Sequence, residues 1–305
     1  MRGRVRVDEA RFRVMGCDAQ VLAVGARNRE ARRVRRLLEG LELRWSRFLA
    51  DSDISRLNRS RGSWVSVHAD TIRLLEAART GFEITGGRFD PRVLTNVEAL
   101  GYVAGLDEGM PALRLGRPTP ARGVGAVHVD RRRGRARLDA GVGFDPGGIG
   151  KGLAADIAVS SMLDRGAAGA LVSIGGDMTL AGESPQGGDW SISVEDPSDL
   201  RRDIAVLHLP AGGVATSSAL HGRWLTPEGP APHVIDPTTG APVASNVASV
   251  TVVAQDAATA EVAATAALVS GLVDGPELLK RLGLHGLMVD RAGRICYPSR
   301  PAVPA

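Results

Sequence analysis

Residues 139–156 read DAGVGFDPGGIGKGLAAD: an aspartate, a glycine-rich turn and a lysine, running straight into a helical pattern. Glycine lets backbone N–H groups approach a ligand closely, and the following helix contributes the positive end of its dipole. Such a segment could hold an anion, with Lys151 as a point charge on a phosphate. Lys151 is conspicuous because the chain otherwise uses arginine, with Lys280 its only other lysine. The two familiar phosphate motifs do not fit. A P-loop needs glycine at 145 and a hydroxyl residue at 152, where Asp145 and Gly152 stand, and a dinucleotide fingerprint starting at Gly141 meets Pro146 at its third glycine. Taken alone, the segment is equally a plain strand–turn–helix connection carrying a solvated lysine.

Two further groups could do chemistry. On a helix, Glu261 and Thr265 are four residues apart and share a face, so a carboxylate and a hydroxyl could hold one hard cation. Oxygen ligands in small number suit Mg²⁺, which keeps waters and substrate phosphates in its shell. The competing reading is an alanine-rich packing helix with one exposed glutamate. His233 alone is an ordinary structural histidine, but beside Asp236, Pro237 and Gly240 it lies on a turn, where a side chain is readily presented.

Periodicity supplies the elements that would position these groups. Residues 11–24 read as a strand pair or one long strand, and residues 28–49 as a helix with Val34, Leu37, Leu38 and Leu41 on one face. A helix is expected over 70–81, strands over 126–130 and 135–139, and loop with short elements over 101–126. Gly152 is expected to open a helix that runs to Arg165. Residues 170–180 read as strand, turn and strand around Gly175, Gly176 and Asp177, with further strands over 190–195, 204–209 and 247–254. The last helix is expected over 257–269, with Asp256 as its N-cap and Gly271 as its stop. Strands and helices interleave without regular alternation, which favours an α+β class.

Composition narrows the partners. With 305 residues and 44% apolar content the chain can bury a proper core. A net charge of +4 and a pI near 9.6 come from arginines scattered among nearly as many acids, and 4% aromatic residues leave little to stack bases. No nucleic-acid partner is expected. Cys17 and Cys296 have no metal-ligand spacing and read as free thiols. The first residues carry charges throughout, with neither a secretion signal nor a lipoprotein signal ending at Cys17, and no apolar run reads as long enough to span a bilayer. The chain therefore reads as cytoplasmic, unless a partner carries it out.

In order along the chain stand Met15-Gly16, Gly86-Gly-x-Phe-Asp-Pro91, Lys151-Gly-x-Ala-x-Asp156, Ile174-Gly-Gly-Asp177, Ala215-Thr-Ser217, His233-x-Ile-Asp-Pro-x-Thr-Gly240 and Ser249-Val-Thr-Val252 before an Ala/Thr helix. This ordered set resembles the ApbE family of FAD:protein FMN transferases over roughly residues 11–275. The resemblance implies an ApbE-like (T-fold-like) α+β fold of mixed sheets with packed helices. One catalytic unit over 1–275, divisible near residue 125, would be followed by a C-terminal helix and strands over 276–297 and a disordered tail over 298–305. It implies Mg²⁺-dependent transfer of FMN from the substrate FAD onto an exposed Ser or Thr hydroxyl of a partner flavoprotein, releasing AMP. It places Met15, Arg88, Phe89, Asp90, Asp145, Lys151 and Ile235 on flavin-nucleotide positions, with Phe48 in place of the usual tyrosine. It places Gly148 (through its carbonyl), Glu261 and Thr265 on the metal, and His233 as the base, with Lys151 beside it in the catalytic set. Asp156 and Asp177 match motif acids with supporting roles.

Three features depart from the family pattern: Glu261 where aspartate is usual, Arg92 where threonine follows Asp-Pro, and Leu100-Gly101-Tyr102 in place of Trp-Gly-Phe. Two other functions use the same site. An FAD pyrophosphatase would employ water as nucleophile, and a non-catalytic FAD-binding protein would follow if Glu261 failed to hold metal. Neither Lys151 nor Glu261 reads as a core side chain.

Overall fold

The computed structural model describes residues 6–26, 29–100, 127–220, 223–226 and 229–299. The loop expected over 101–126 and the tail from 300 onward lie outside the described residues. The class is α+β, and the strands and helices are β1 (Val7–Val14), β2 (Cys17–Val24), α1 (Glu30–Trp45), α2 (Asp53–Arg59), β3 (Val65–Ser66), α3 (Ala69–Ile84), α4 (Leu94–Ala99), β4 (Val127–Asp130), β5 (Arg135–Leu138), α5 (Gly150–Asp164), β6 (Gly169–Ile174), β7 (Asp177–Gly182), β8 (Trp190–Asp196), β9 (Asp199–Leu209), β10 (Gly212–Ser218), β11 (Arg223–Thr226), β12 (Gly229–Pro232), β13 (Val247–Ala254), α6 (Ala257–Arg281), β14 (His285–Asp290) and β15 (Ile295–Ser299).

Eight strands form one antiparallel sheet in the order β1-β2-β6-β7-β10-β13-β14-β15. Alternation along a strand sends side chains to opposite faces. In β6, Ala170, Val172 and Ile174 join the core under α1 and α5, whereas Leu171 faces the β8–β9 hairpin with Trp190 and Ile192. Likewise Met288 of β14 meets α6, and its neighbours Leu287 and Val289 meet Val194 of the hairpin. The molecule is thus layered, with helices, then the large sheet, then a hairpin cover. A small sheet, β3-β5-β4, adds Ala136 and Leu138 to the core shared with Ile54, Leu74 and Phe144.

Most expected elements are present, with shifted ends. The expected strand pair breaks at Met15 and Gly16, both at positive φ (53° and 71°), a tight turn into β2. α1 buries Ala31, Val34, Leu38, Leu41 and Trp45, a helical stripe, and stops at Trp45 instead of continuing to 49. α5 begins at Gly150, two residues before the expected start. α6 runs to Arg281. At Gly271, where the stop was expected, the backbone leaves the helical conformation (φ 79°), and a second helical piece, held by buried Leu278 and Leu279, continues beyond the kink. The expected N-cap at Asp256 is present, its side chain accepting from the Thr259 amide at 2.8 Å. β15 includes Pro298 and Ser299, so the chain leaves the sheet later than the expected boundary at 297.

Among the described residues α6 is long and apolar enough to cross a membrane by length and composition, but more than half of that stretch is buried inside the protein. Its alanines explain the resemblance: Ala260, Ala263, Ala264 and Ala267 are fully buried against the sheet, as in a core helix.

Candidate active site

The first turns of α5 and α6 cross closely because residue 152 is glycine. A Cβ there would lie 2.3 Å from the Ala257 carbonyl oxygen, far inside van der Waals contact. This approach sets Lys151 against Glu261 of α6. The Glu261 carboxylate is anchored at one end, its Oε2 accepting from the Gly152 amide at 2.8 Å. Its Oε1 stands 3.3 Å from Lys151 Nζ and has no hydrogen-bond partner although it is buried. Lys151 also pairs with Asp177, whose second oxygen accepts from the Thr216 amide at 3.1 Å. A single ammonium therefore joins two buried carboxylates.

Glu261 is only 2% exposed. The expectation that Glu261 is not a core side chain is corrected: the alanine helix carries it on the side that meets α5, and the Gly152 amide and Lys151 compensate its burial. Burial pushes its carboxyl above the ordinary glutamate value, the Lys151 ammonium partly offsets this, and the charge of Asp177 reinforces it. For Lys151, burial alone would favour the neutral amine, but Asp177 and Glu261 outweigh it and hold the ammonium above the ordinary lysine range.

Asp156 supports this arrangement from one turn further along α5. It accepts from the amides of Ala257 (2.9 Å) and Ala258 (3.0 Å) and from the Thr179 hydroxyl (2.5 Å). Two of those donors are at the N-terminus of α6, so Asp156 and Asp256 together satisfy the amides that open the helix carrying Glu261 and Thr265. Thr265 lies one turn beyond Glu261 and shares a hydrogen bond of 3.0 Å with Ser217 of β10. Gly148, at φ 81°, comes up against both Thr265 and Phe89: a Cβ there would be 3.2 Å from Thr265 Oγ1 and 3.1 Å from Phe89 Cε2. Gly148, Glu261 and Thr265 are thus gathered around one end of the α5–α6 crossing.

The β1–β2 turn reaches the same place. The Met15 amide donates to Glu42 of α1 at 2.8 Å. Two residues on, Cys17 packs against Gly175, where an added Cβ would meet Cys17 Sγ at 2.9 Å and Lys151 Cδ at 3.7 Å. Burial pushes the Cys17 thiol up, so it is a packing group. Both cysteines are free thiols.

A second group surrounds Asp145. Its Oδ2 lies 3.1 Å from Arg47 Nε, and its Oδ1 accepts from the Gly147 amide at 2.8 Å. The Arg47 guanidinium stacks on Phe48 at 4.2 Å, leaving that ring 45% exposed. Sequence reasoning missed Arg47, since its only signal was adjacency to Phe48. The Asp145 amide donates to the Pro91 carbonyl at 2.7 Å, tying the glycine-rich loop to the 86–92 segment. In that segment Asp90 is taken up by Arg92: the Arg92 amide (2.9 Å), Nε (2.6 Å) and Nη2 all donate to it, and both side chains are 3% exposed. Phe89 is buried in the core. Arg88 is half-buried, and its guanidinium makes no hydrogen bond or ion pair among the described residues.

The 233–243 segment forms a third group. The Val243 amide donates to the Val234 carbonyl at 2.9 Å, and Ile235 bridges Pro242. Ile235 is buried against Val97 and Leu100, and Asn96 of α4 donates to the Gly240 carbonyl at 3.2 Å. At the start of α4, Leu94 packs on Gly143, so this hairpin and the glycine-rich loop share α4 as a common support. His233 is exposed at the head of the hairpin. The structure therefore brings together Lys151, Glu261, Thr265 and Gly148, with Phe89 at their edge, and ties Met15 to Glu42 of α1. It arranges Phe48 and Asp145 around Arg47, and sets His233 and Ile235 on a separate hairpin.

Among the described residues no group of three or more His, Cys, Asp or Glu side chains has the spacing of a metal site. A cation at the crossing would rely on one carboxylate and neutral oxygens. That donor set fits a hard ion such as Mg²⁺, and the buried Oε1 of Glu261, which is ion-paired with Lys151 but accepts no well-aligned hydrogen bond, is the kind of atom a cation would satisfy.

Comparison with known proteins gives concordant results. A model of the ApbE family matches residues 15–288. A protein from Salmonella typhimurium named FAD:protein FMN transferase is 30% identical over 262 residues, 81% of this chain and 73% of the relative. The crystal structure of the ApbE protein of Thermotoga maritima superposes with a TM-score of 0.84 at 28% identity, covering 96% of this chain and 97% of that one. The apo flavinyl transferase ApbE of Pseudomonas stutzeri shares the fold, with a TM-score of 0.82 at 22% identity over 97% and 96% of the two chains.

Proposed function

The chain belongs to the ApbE family, and on that premise we propose that it is a transferase that moves FMN from FAD onto a Ser or Thr hydroxyl of a partner flavoprotein, with Mg²⁺, releasing AMP. Relatives carrying the name FAD:protein FMN transferase support the flavin-transfer reading. The observation that carries it is the crossing where Lys151 meets Glu261 beside Gly148 and Thr265.

In this reading Glu261, Thr265 and the Gly148 carbonyl hold Mg²⁺. When bound, the ion neutralises phosphoryl charge and orients the phosphates for in-line displacement. Lys151, kept charged by its two carboxylates, supplies a second positive charge to the pyrophosphate. Arg88 offers a further cation to the nucleotide, and Phe48, backed by Arg47, offers an exposed aromatic face. The acceptor oxygen attacks the phosphorus of the FMN half. The bond to the AMP phosphate breaks, AMP leaves with the electron pair, and His233 takes the hydroxyl proton. Histidine is the side chain whose chemistry suits a proton transfer of this kind at neutral pH. The acceptor segment must occupy the space that water would use.

The test is incubation with FAD, MgCl₂ and a flavoprotein domain encoded beside this chain. Transfer gives a fluorescent, covalently flavinylated acceptor and AMP. AMP formed without any acceptor identifies a hydrolase instead, and FAD bound but never cleaved identifies a binding protein.

A further inference from the structure

The Glu261 carboxylate faces two cations. Lys151 Nζ lies 3.3 Å from its Oε1, and under the proposed function the same carboxylate ligates a divalent ion. Two positive charges on one carboxylate repel each other, the more strongly where water is excluded.

The backbone cannot relieve this conflict. Glu261 Oε2 is tied to the amide of Gly152, the residue that follows Lys151. The helices are locked at that point by the contact of Gly152 with Ala257 and by Asp156 across the α6 N-terminus. What can move is the Lys151 side chain, which is 30% exposed on a stem of four methylenes. Its other anchor, Asp177 on β7, is fixed by the Thr216 amide. An anion arriving at the glycine-rich loop offers the ammonium a third negative partner, on its exposed side. Glutamate at 261 strengthens the conflict, because its extra methylene reaches toward the lysine where a shorter aspartate would stand back.

We propose that Lys151 is a built-in competitor of the divalent cation for Glu261, and that a phosphate-bearing nucleotide relieves the competition by drawing the ammonium toward itself. The inference rests on the metal reading of Glu261 and adds an order to it: nucleotide first, tight metal binding second. Idle metal binding, with no substrate phosphate to share the ion, is thereby suppressed.

The probe is Mn²⁺, with free ion followed by electron paramagnetic resonance. Without nucleotide, Lys151→Met keeps the methylene stem, removes the charge, and should tighten Mn²⁺ binding about tenfold or more, within the usual range of site-to-site coupling. Lys151→Gln should do the same, and Lys151→Arg, which keeps the charge, should not. In the wild type, FAD should tighten Mn²⁺ binding by a factor that shrinks in Lys151→Met. Far-UV circular dichroism and thermal unfolding establish which of the neutral variants is folded, and either suffices. Equal Mn²⁺ affinity in wild type and the neutral variants, abolished by Glu261→Gln, overturns the competition and leaves the metal assignment standing. Absence of Mn²⁺ binding in every variant, with FAD or without it, overturns both.

Discussion

Lys151 in the first turn of α5 and Glu261 in the second turn of α6 meet at 3.3 Å, and the amide of Gly152, the residue after Lys151, clamps the same carboxylate at 2.8 Å. The glycine-rich turn thus does two things. It presents backbone to a ligand, and it lets α5 pass close enough to α6 for a lysine and a glutamate 110 positions apart to share one site.

Removing the lysine charge exposes its role. Lys151→Ala should lower the FMN-transfer rate by about a hundredfold or more, the usual loss when one electrostatic stabiliser of a developing charge is deleted. Because it leaves Asp177 and Glu261 facing each other, it should also lower the unfolding free energy, by about 1–3 kcal/mol. Single-turnover kinetics on the folded variant, beside a urea titration, separate the two effects. Full activity would remove Lys151 from the chemistry.

The pH dependence of stability has a sign set by Glu261. Burial holds its carboxyl above 4.5 in the folded chain, with Lys151 offsetting only part of the shift. The folded state therefore binds that proton more tightly than the unfolded state does, and stability falls as pH rises from 4.5 through the folded-state value. Lys151 is shifted upward too, so its contribution is complete below 10.5 and flat across that window. In urea titrations with chelator present, Glu261→Gln should lack the decline that the wild type shows between acid and neutral pH. Parallel curves would contradict the assignment.

Gly148→Ala tests the contact between the loop and Thr265. The new Cβ would sit 3.2 Å from the Thr265 hydroxyl and 3.1 Å from Phe89, at a φ of 81° that L residues avoid. A cost of about 1–2 kcal/mol in stability is expected from the backbone strain. Divalent-ion affinity should fall more than FAD affinity, read by Mn²⁺ titration and flavin fluorescence. A fall in FAD affinity alone would place Gly148 on the flavin and not on the ion.

Arg92 is a departure from the family pattern with a clear structural role. Its bidentate pair with Asp90 is buried, so Arg92→Thr alone strands a carboxylate and should cost about 3–5 kcal/mol. Asp90→Asn combined with Arg92→Thr should recover much of that loss. Thermal unfolding of the two single variants and the double variant gives the coupling directly. Additive losses would mean the pair is not the unit it forms here.

Local signals carried much of the fold. The Asp256 cap, the strand–turn–strand around Gly175 and the start of the helix after the glycine-rich loop follow from short-range rules, and the structure has all three. Gly271 breaks the helix where its glycine signalled a stop, and the helical piece beyond the kink is held in place by the burial of Leu278 and Leu279. The burial of Glu261 was not legible, since an alanine-rich helix gives no marked polar face and the partners that compensate the charge come from α5. Arg47 was invisible for the same reason, because its pairing with Asp145 joins the end of α1 to a loop nearly a hundred residues away. The motif order, by contrast, singles out Lys151, Gly148, Glu261 and Thr265, and the fold puts Lys151 3.3 Å from Glu261 and Gly148 against Thr265.

The most direct measurement is the intact mass of the acceptor domain after reaction with FAD and MgCl₂, with AMP counted in the same sample. The wild type should add one FMN per acceptor hydroxyl, with AMP in equal amount, and Glu261→Gln should add almost none. An unmodified acceptor beside intact FAD, AMP formed without any gain in acceptor mass, or equal modification by Glu261→Gln would contradict the account.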